Sequence, residues 1–184
     1  MQWYHYLLIV LGLLVLWYFS THNLLVRLRT KVEEAFSNID VYLKKRFDLI
    51  PNLVNTVKGY AKHEAETLEA VIRARNLGVS ANTPEDKMAA NNELTGALNR
   101  LMVVVERYPE LKADAGFRDL QAQLVDLEKD IANYRKFYNA TVQQYNIKVD
   151  SIPSNIVANI GGFKKATLYE IDEETQRQAP TVEF

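Results

Sequence analysis

The sequence of 184 residues contains no cysteine. That excludes disulfides, thiol catalysis, cysteine-ligated zinc and a lipid-modified cysteine, and it leaves the compartment open. Glycine and proline are scarce, at seven and five residues, and they cluster at element ends, as helical proteins place them. The net charge is −1, which gives no electrostatic reason to expect nucleic acid as a partner. With three histidines, metal motifs have little to draw on. His63-Glu64 opens like a zinc-protease HExxH, but Thr67 stands where the second histidine is needed. None of His5, His22 and His63 has a glutamate three residues before it, so the paired Glu-x-x-His of di-iron bundles fails too. There is no Walker loop, GxSxG or GxGxxG, and the serines fall in caps and loops. The expectation is a protein without catalytic residues, bound metal or cofactor.

Charge is also missing from one long run, Trp3 to Phe19 (WYHYLLIVLGLLVLWYF). Its ten Leu, Ile, Val and Phe side chains favour membrane insertion by roughly 3–6 kcal/mol in total. As a helix the run spans about 25 Å, slightly short of the ~30 Å hydrocarbon layer. The deficit falls at the interfaces, where Trp3, Tyr4 and Tyr6 at one end and Trp17 and Tyr18 at the other form aromatic belts. A buried core helix has no reason to carry aromatics at both ends. A cleaved signal peptide opens with basic residues and closes on small ones, which this segment does not. A retained single-pass anchor is therefore expected over 1–22. Arg27, Arg29 and Lys31 follow it and no Lys or Arg precedes it. The positive-inside bias then puts the N-terminus outside and the rest in the cytoplasm, at the cell membrane.

Beyond the anchor the spacing is heptad. Leu25, Leu28, Val32, Ala35, Ile39 and Tyr42 predict a helical seam, so the anchor and the first helix form one rod to about Arg46. Pro51 interrupts, and Asp48 as N-cap predicts a tight reversal near Asp48–Ile50. The competing reading is a kinked continuation, because Leu43, Phe47, Ile50, Val54 and Val57 pass straight through the proline. A second helix reaches about Asn76, with Leu53, Val57, Tyr60, Leu68, Val71 and Ala74 inward. Residues 77–84 read as a loop, with Thr83 capping a third helix that has Pro84 in its first turn. The fourth helix carries Phe117, Leu120, Leu124, Leu127, Ile131, Tyr134, Tyr138, Thr141 and Tyr145 in strict heptad spacing to about Val149, roughly 50 Å of rod. The fold class predicted is all-α: an N-terminal transmembrane helix, an up-and-down antiparallel four-helix bundle with coiled-coil-like seams over 23–150, and an irregular tail over 151–184. In the tail, Phe163 with Lys164 and Lys165 either touches headgroups or packs on the bundle, and packing is preferred. An acidic stretch follows at Glu170–Glu174.

Six polar residues flank the seams of the first two helices: Arg46, Asp48, Asn52, Glu64, Arg73 and Arg75. Polar groups partly buried in a bundle need partners, so a network fixing the hairpin and its register is the preferred reading. The alternative is a contact surface for another protein at the membrane-distal end. Trp3, Tyr4, Trp17 and Tyr18 are the candidate membrane-interface anchors.

Residues 39–54 (IDVYLKKRFDLIPNLV), then Val57-Lys58-Gly59-Tyr60-Ala61 and Ala74-Arg75-Asn76, resemble the LemA family. Tyr138-Asn139, Tyr145-Asn146 and Pro153-Ser154-Asn155 extend the likeness, which covers the chain from the anchor to about Glu174. The resemblance implies a bacterial, single-pass, four-helix-bundle protein with no assigned reaction, some relatives being linked to forming an intracellular membrane compartment. Tyr42, where Gln is commoner, and Ile152, where an aromatic often precedes the proline, depart from the family pattern.

Two functions fit these features. The first is a membrane-anchored scaffold or adaptor whose partners are the bilayer and either membrane proteins or further copies of itself, as a homo-oligomer. The alternative is a ligand-sensing bundle on the outer face, with a small molecule between helices near Tyr134, Tyr138 and Tyr145.

Overall fold

Leu43, Phe47, Ile50, Val54 and Val57 keep helical spacing across Pro51, and all five are buried in one unbroken helix. In the computed structural model, which describes residues 3–170, helix α1 runs Trp3–Tyr60 with Pro51 inside it. The reversal expected at Asp48–Ile50 is therefore corrected to the kinked-continuation reading, and the rod extends past Arg46. The physical reason is the apolar stripe: a turn at Asp48 would have broken a face that continues for two more turns. The chain reverses after Tyr60 instead. There the Ala61 N–H donates to the Val57 carbonyl (2.8 Å) and the Glu64 N–H to the Ala61 carbonyl (3.2 Å).

The following helices are α2 (Ala65–Ser80), α3 (Pro84–Val105), α4 (Pro109–Ala113), α5 (Ala115–Asp150) and α6 (Ser154–Ile160), with no strand among the described residues. The start of α3 is as expected: the Thr83 hydroxyl accepts the Asp86 N–H at 3.1 Å, and Pro84 opens the first turn. Of the acidic stretch Glu170–Glu174, all but Glu170 lies outside the described residues.

The chain divides into two units. The first holds residues 3–39 and 133–168. Leu25, Val32, Ala35 and Ile39 of α1 are buried with Tyr138, Val142, Tyr145 and Val149 of α5, each large apolar group contributing about 1.5–3 kcal/mol by leaving water. The Phe36 and Tyr138 rings meet edge to face at 5.9 Å. The second unit holds residues 40–132 with 169–170. Its buried residues include Leu53 of α1, Val71 and Ala74 of α2, Leu94 and Leu101 of α3, and Phe117 and Ile131 of α5. α2 packs against α3. It also approaches α1 closely, for a β-carbon added at Gly78 would land inside the Phe47 ring.

Candidate functional site

The most buried polar side chain among the six predicted is Arg46, 4% exposed, in the second unit. Its Nη1 donates to Asn91 Oδ1 at 2.6 Å and Thr95 Oγ1 at 3.1 Å, both on α3. Its Nη2 pairs with Glu128 Oε2 on α5 at 2.8 Å. Asn91 in turn donates from Nδ2 to the Tyr169 hydroxyl at 2.8 Å, and the Asn92 amide donates to the Glu170 carbonyl at 3.1 Å. One guanidinium thus ties α1, α3 and α5 together, and its partner amide holds the tail. Burial lowers the Arg46 pKa, and the Glu128 and Tyr169 charges oppose that shift.

The other five predicted residues are not gathered around it. Arg75 reaches from α2 to α1, its Nε donating to the Phe47 carbonyl at 3.4 Å and its Nη1 to Asn76 Oδ1 at 3.1 Å. Asp48 and Asn52 are exposed on α1, and the Asn52 carbonyl accepts the Thr56 hydroxyl at 3.0 Å. Arg73 is exposed on α2, where it lines a shallow groove with Glu69, Ile72, Asn76, Leu77 and Ser80.

Glu64 belongs to the turn end of the second unit. One of its oxygens, Oε1, accepts from Arg107 Nη2 at 2.9 Å and from the Tyr108 hydroxyl at 3.0 Å. Beside it, the Tyr60 hydroxyl donates to Asp114 Oδ2 at 3.0 Å. Asp114 Oδ1 accepts the Phe117 N–H at 2.8 Å, which makes Asp114 the N-cap of α5. The cap bond and the tyrosine hold the Asp114 carboxyl below its ordinary pKa, and the Tyr60 and Tyr108 hydroxyls are pushed up by the carboxylates they donate to. Four stretches, the end of α1, the α1–α2 turn, the end of α3 and the start of α5, are thereby joined by side-chain hydrogen bonds.

In the first unit the tyrosines of α5 hold the tail. Tyr138 donates to the Thr167 carbonyl at 2.9 Å and Tyr145 to the Lys164 carbonyl at 2.8 Å. Asn146 makes a two-way bond with Ala166: Nδ2 donates to its carbonyl at 2.8 Å, and Oδ1 accepts its N–H at 2.9 Å. Phe163 is buried, as the preferred reading had it, against the His22 ring at 5.3 Å, with the Arg29 guanidinium 5.5 Å from its centroid. The hydroxyls of Tyr138 and Tyr145, on which a ligand-binding bundle would draw, are thus engaged by the chain's own backbone.

Sequence reasoning missed Asn91, Glu128 and Tyr169, and named Asn146 only as part of the family likeness. For Asn91 a signal existed, because it precedes Leu94, Leu98, Leu101 and Val105 in the same three-and-four spacing, so a polar residue occupies a seam position. For the tail, extended backbone has no period to read.

Of the predicted interface aromatics, Trp3, Tyr4 and Trp17 are exposed and Tyr18 is half-buried. Tyr18 stacks on His22 at 6.3 Å, where the apolar run ends. Every residue from Trp3 to Trp17 is exposed, all round the helix. The helix that carries it, α1, is long and apolar enough near its N-terminal end to cross a membrane by length and composition.

The class so defined is an all-helical protein with one long, apolar N-terminal helix, in which a buried arginine joins α1, α3 and α5. The LemA family profile matches residues 35–184, and the chain belongs to that family. Magnetosome protein MamQ 2 of Paramagnetospirillum magneticum is 26% identical over 196 residues, covering 90% of this chain and 72% of that protein. Magnetosome protein MamQ of Magnetospirillum gryphiswaldense is 26% identical over 174 residues, 80% of this chain and 64% of the relative. Protein LemA of Metamycoplasma hominis is 24% identical over 180 residues, 92% and 81% of the two chains.

Proposed function

We propose that this protein is a single-pass, membrane-anchored scaffold or adaptor that works through protein–protein or self-association, without catalysis. The observation that carries the proposal is the exposure of large apolar side chains around the whole circumference of α1 from Trp3 to Trp17, Trp3 at 73% and Leu16 at 68% among them. Water does not tolerate such a surface, and hydrocarbon does. The same helix continues without a break into packed, charged structure. The likeness to magnetosome proteins supports the same reading.

The packed helices form an up-and-down antiparallel bundle in this proposal. In the second unit Asp40 meets Lys87 and Arg46 meets Asn91, so residue numbers rise together along α1 and α3. Tyr60 meets Asp114 while Arg46 meets Glu128, so they run oppositely along α1 and α5. Arg27, Arg29 and Lys31 favour the cytoplasm for this domain and the outside for the N-terminus. Partner contacts fall to outward faces such as that of α2, where Ile72, Leu77 and Val79 are exposed.

Three measurements test this. Alkaline extraction of membranes holding the full chain should leave it with the bilayer, and its release into the supernatant would overturn the anchor. Crosslinking in intact membranes should capture oligomers or a membrane protein, and monomers alone would overturn the scaffold. A cysteine at Ser80 in this cysteine-free chain should resist an impermeant thiol reagent in whole cells and react once they are opened.

A further inference from the structure

The first unit carries an apolar face besides the anchor. α6 has the sequence Ser-Asn-Ile-Val-Ala-Asn-Ile, with no charge. Ser154, Val157 and Ala158 on one side are buried, while Ile156 and Ile160 on the other are 54% and 68% exposed, and Ile152 just before the helix is 85% exposed. Three isoleucines turned to water within nine residues is an arrangement that a soluble surface does not favour.

Their level along α1 is set by contacts. The Phe163 N–H donates to the Ala158 carbonyl at 2.9 Å, which ties Phe163 to α6. Gly162, at φ 68°, makes the bend that returns the chain there. The Phe163 ring lies 5.3 Å from that of His22. His22 is three residues past Phe19, where the apolar run ends, about 5 Å along the helix. The interfacial layer on each side of the hydrocarbon is about 5–7 Å deep. α6 is therefore one side chain away from the part of α1 that stands at headgroup depth.

We infer that Ile152, Ile156 and Ile160 form an interfacial foot that dips into the bilayer surface beside the base of the anchor. The proposal rests on the anchoring proposed above and adds a second lipid contact to it. The occupant is lipid because of this continuity with the anchor and because α6 is uncharged. Exposed Lys164 follows it in a place that suits an anionic headgroup, while Lys165 is paired with Asp150 at 2.5 Å. A foot of this kind fixes the rotation and tilt of the first unit against the membrane, which one flexible contact would leave free.

The chain's lack of cysteine makes the test direct. Single-cysteine variants Ile156→Cys, Ile160→Cys, Leu14→Cys and Phe137→Cys, each at an exposed position, are spin-labelled and reconstituted as the full chain in vesicles of phosphatidylcholine and phosphatidylglycerol. Collision with oxygen reports lipid, and collision with a nickel chelate reports water. The expected result is an oxygen-to-nickel ratio several-fold higher at positions 156 and 160 than at Phe137, and highest at Leu14. A water-like ratio at 156 and 160 with a lipid-like ratio at Leu14 would overturn the foot and spare the anchor. A water-like ratio at Leu14 as well would overturn both. Protection from both reagents at 156 and 160 would mean that protein, from a second copy or a partner, covers this face, and would likewise overturn the lipid assignment.

Discussion

Arg75 Nε donates to the main-chain carbonyl of Phe47 across 3.4 Å, and Phe47 stands four residues before Pro51. Proline has no N–H, so the carbonyl four residues earlier loses its helical donor. The guanidinium of the neighbouring helix supplies a donor to that carbonyl. A proline in the middle of a helix and an arginine on the next helix are parts of one arrangement.

The two residues should therefore be coupled. Arg75→Ala is expected to destabilise by about 1 kcal/mol, since a hydrogen bond at this length and partial exposure lies toward the weak end of the range. Pro51→Ala restores an N–H to the Phe47 carbonyl, so Arg75→Ala should cost measurably less in that background. Urea unfolding followed by helical circular dichroism in detergent micelles measures the cycle. Strictly additive changes would show that Arg75 acts elsewhere.

Much of the helical plan was legible in advance. Thr83-Pro84 marked the start of α3, and the heptad from Phe117 to Tyr145 marked α5, because caps and three-and-four spacing are local and repetitive. The turn after α1 was misplaced because Pro51 was read by its propensity. The apolar series through it held the stronger information, and Arg75 lay too far off in sequence to show how the proline is accommodated. Arg46 and Glu64 were recognised as polar residues near a seam. That Arg46 is nearly buried among Asn91, Thr95 and Glu128 depends on which faces of α1, α3 and α5 meet, which no single helix records.

Glu128 is the only acidic side chain paired with Arg46 among the described ion pairs. Glu128→Gln leaves a desolvated guanidinium with neutral acceptors. A fully buried pair would lose about 3–5 kcal/mol on such a change. The Glu128 side chain is 43% exposed, so about 2 kcal/mol is expected here. Arg46→Met combined with Glu128→Gln should cost less than the sum of the two single changes, because no uncompensated charge then remains. Denaturant midpoints of the four proteins decide it, and a neutral Glu128→Gln would count against the pair.

Asp114 gives a pH dependence with a definite sign. Its carboxyl is held below the ordinary value of 3.8 by the Phe117 N–H and the Tyr60 hydroxyl. A depressed folded-state pKa contributes stability that is present above the unfolded value and lost as pH falls through the folded one. Asp114→Asn keeps an N-capping side chain but cannot titrate. Thermal unfolding from pH 6 down to about pH 2 should show a shallower acid loss in the variant than in the parent. Identical slopes would mean that the cap does not feel this charge.

The tail bond between Asn146 and Ala166 is reciprocal, with the side chain both giving to and taking from one residue's backbone. That geometry requires an amide, because a carboxylate has no donor and an amine no acceptor. Asn146→Asp should keep the Ala166 N–H bond and set a carboxylate against the Ala166 carbonyl, whereas Asn146→Ala removes both bonds. Each bond contributes about 0.5–1.5 kcal/mol net, so Asn146→Ala removes about 1–3 kcal/mol of local stability. Losses on this scale raise local opening by roughly 5- to 150-fold. Hydrogen exchange at the Ala166 amide should accelerate within that range in Asn146→Ala, while amides in the middle of α3 keep their parent rates. Tyr145→Phe, which removes the hydroxyl bonded to the Lys164 carbonyl, should act in the same direction with a smaller effect, since one bond is lost and the ring still packs. An unchanged rate at Ala166 in Asn146→Ala would show that Phe163 and Tyr169, buried at the two ends of the segment, hold the tail without help from Asn146.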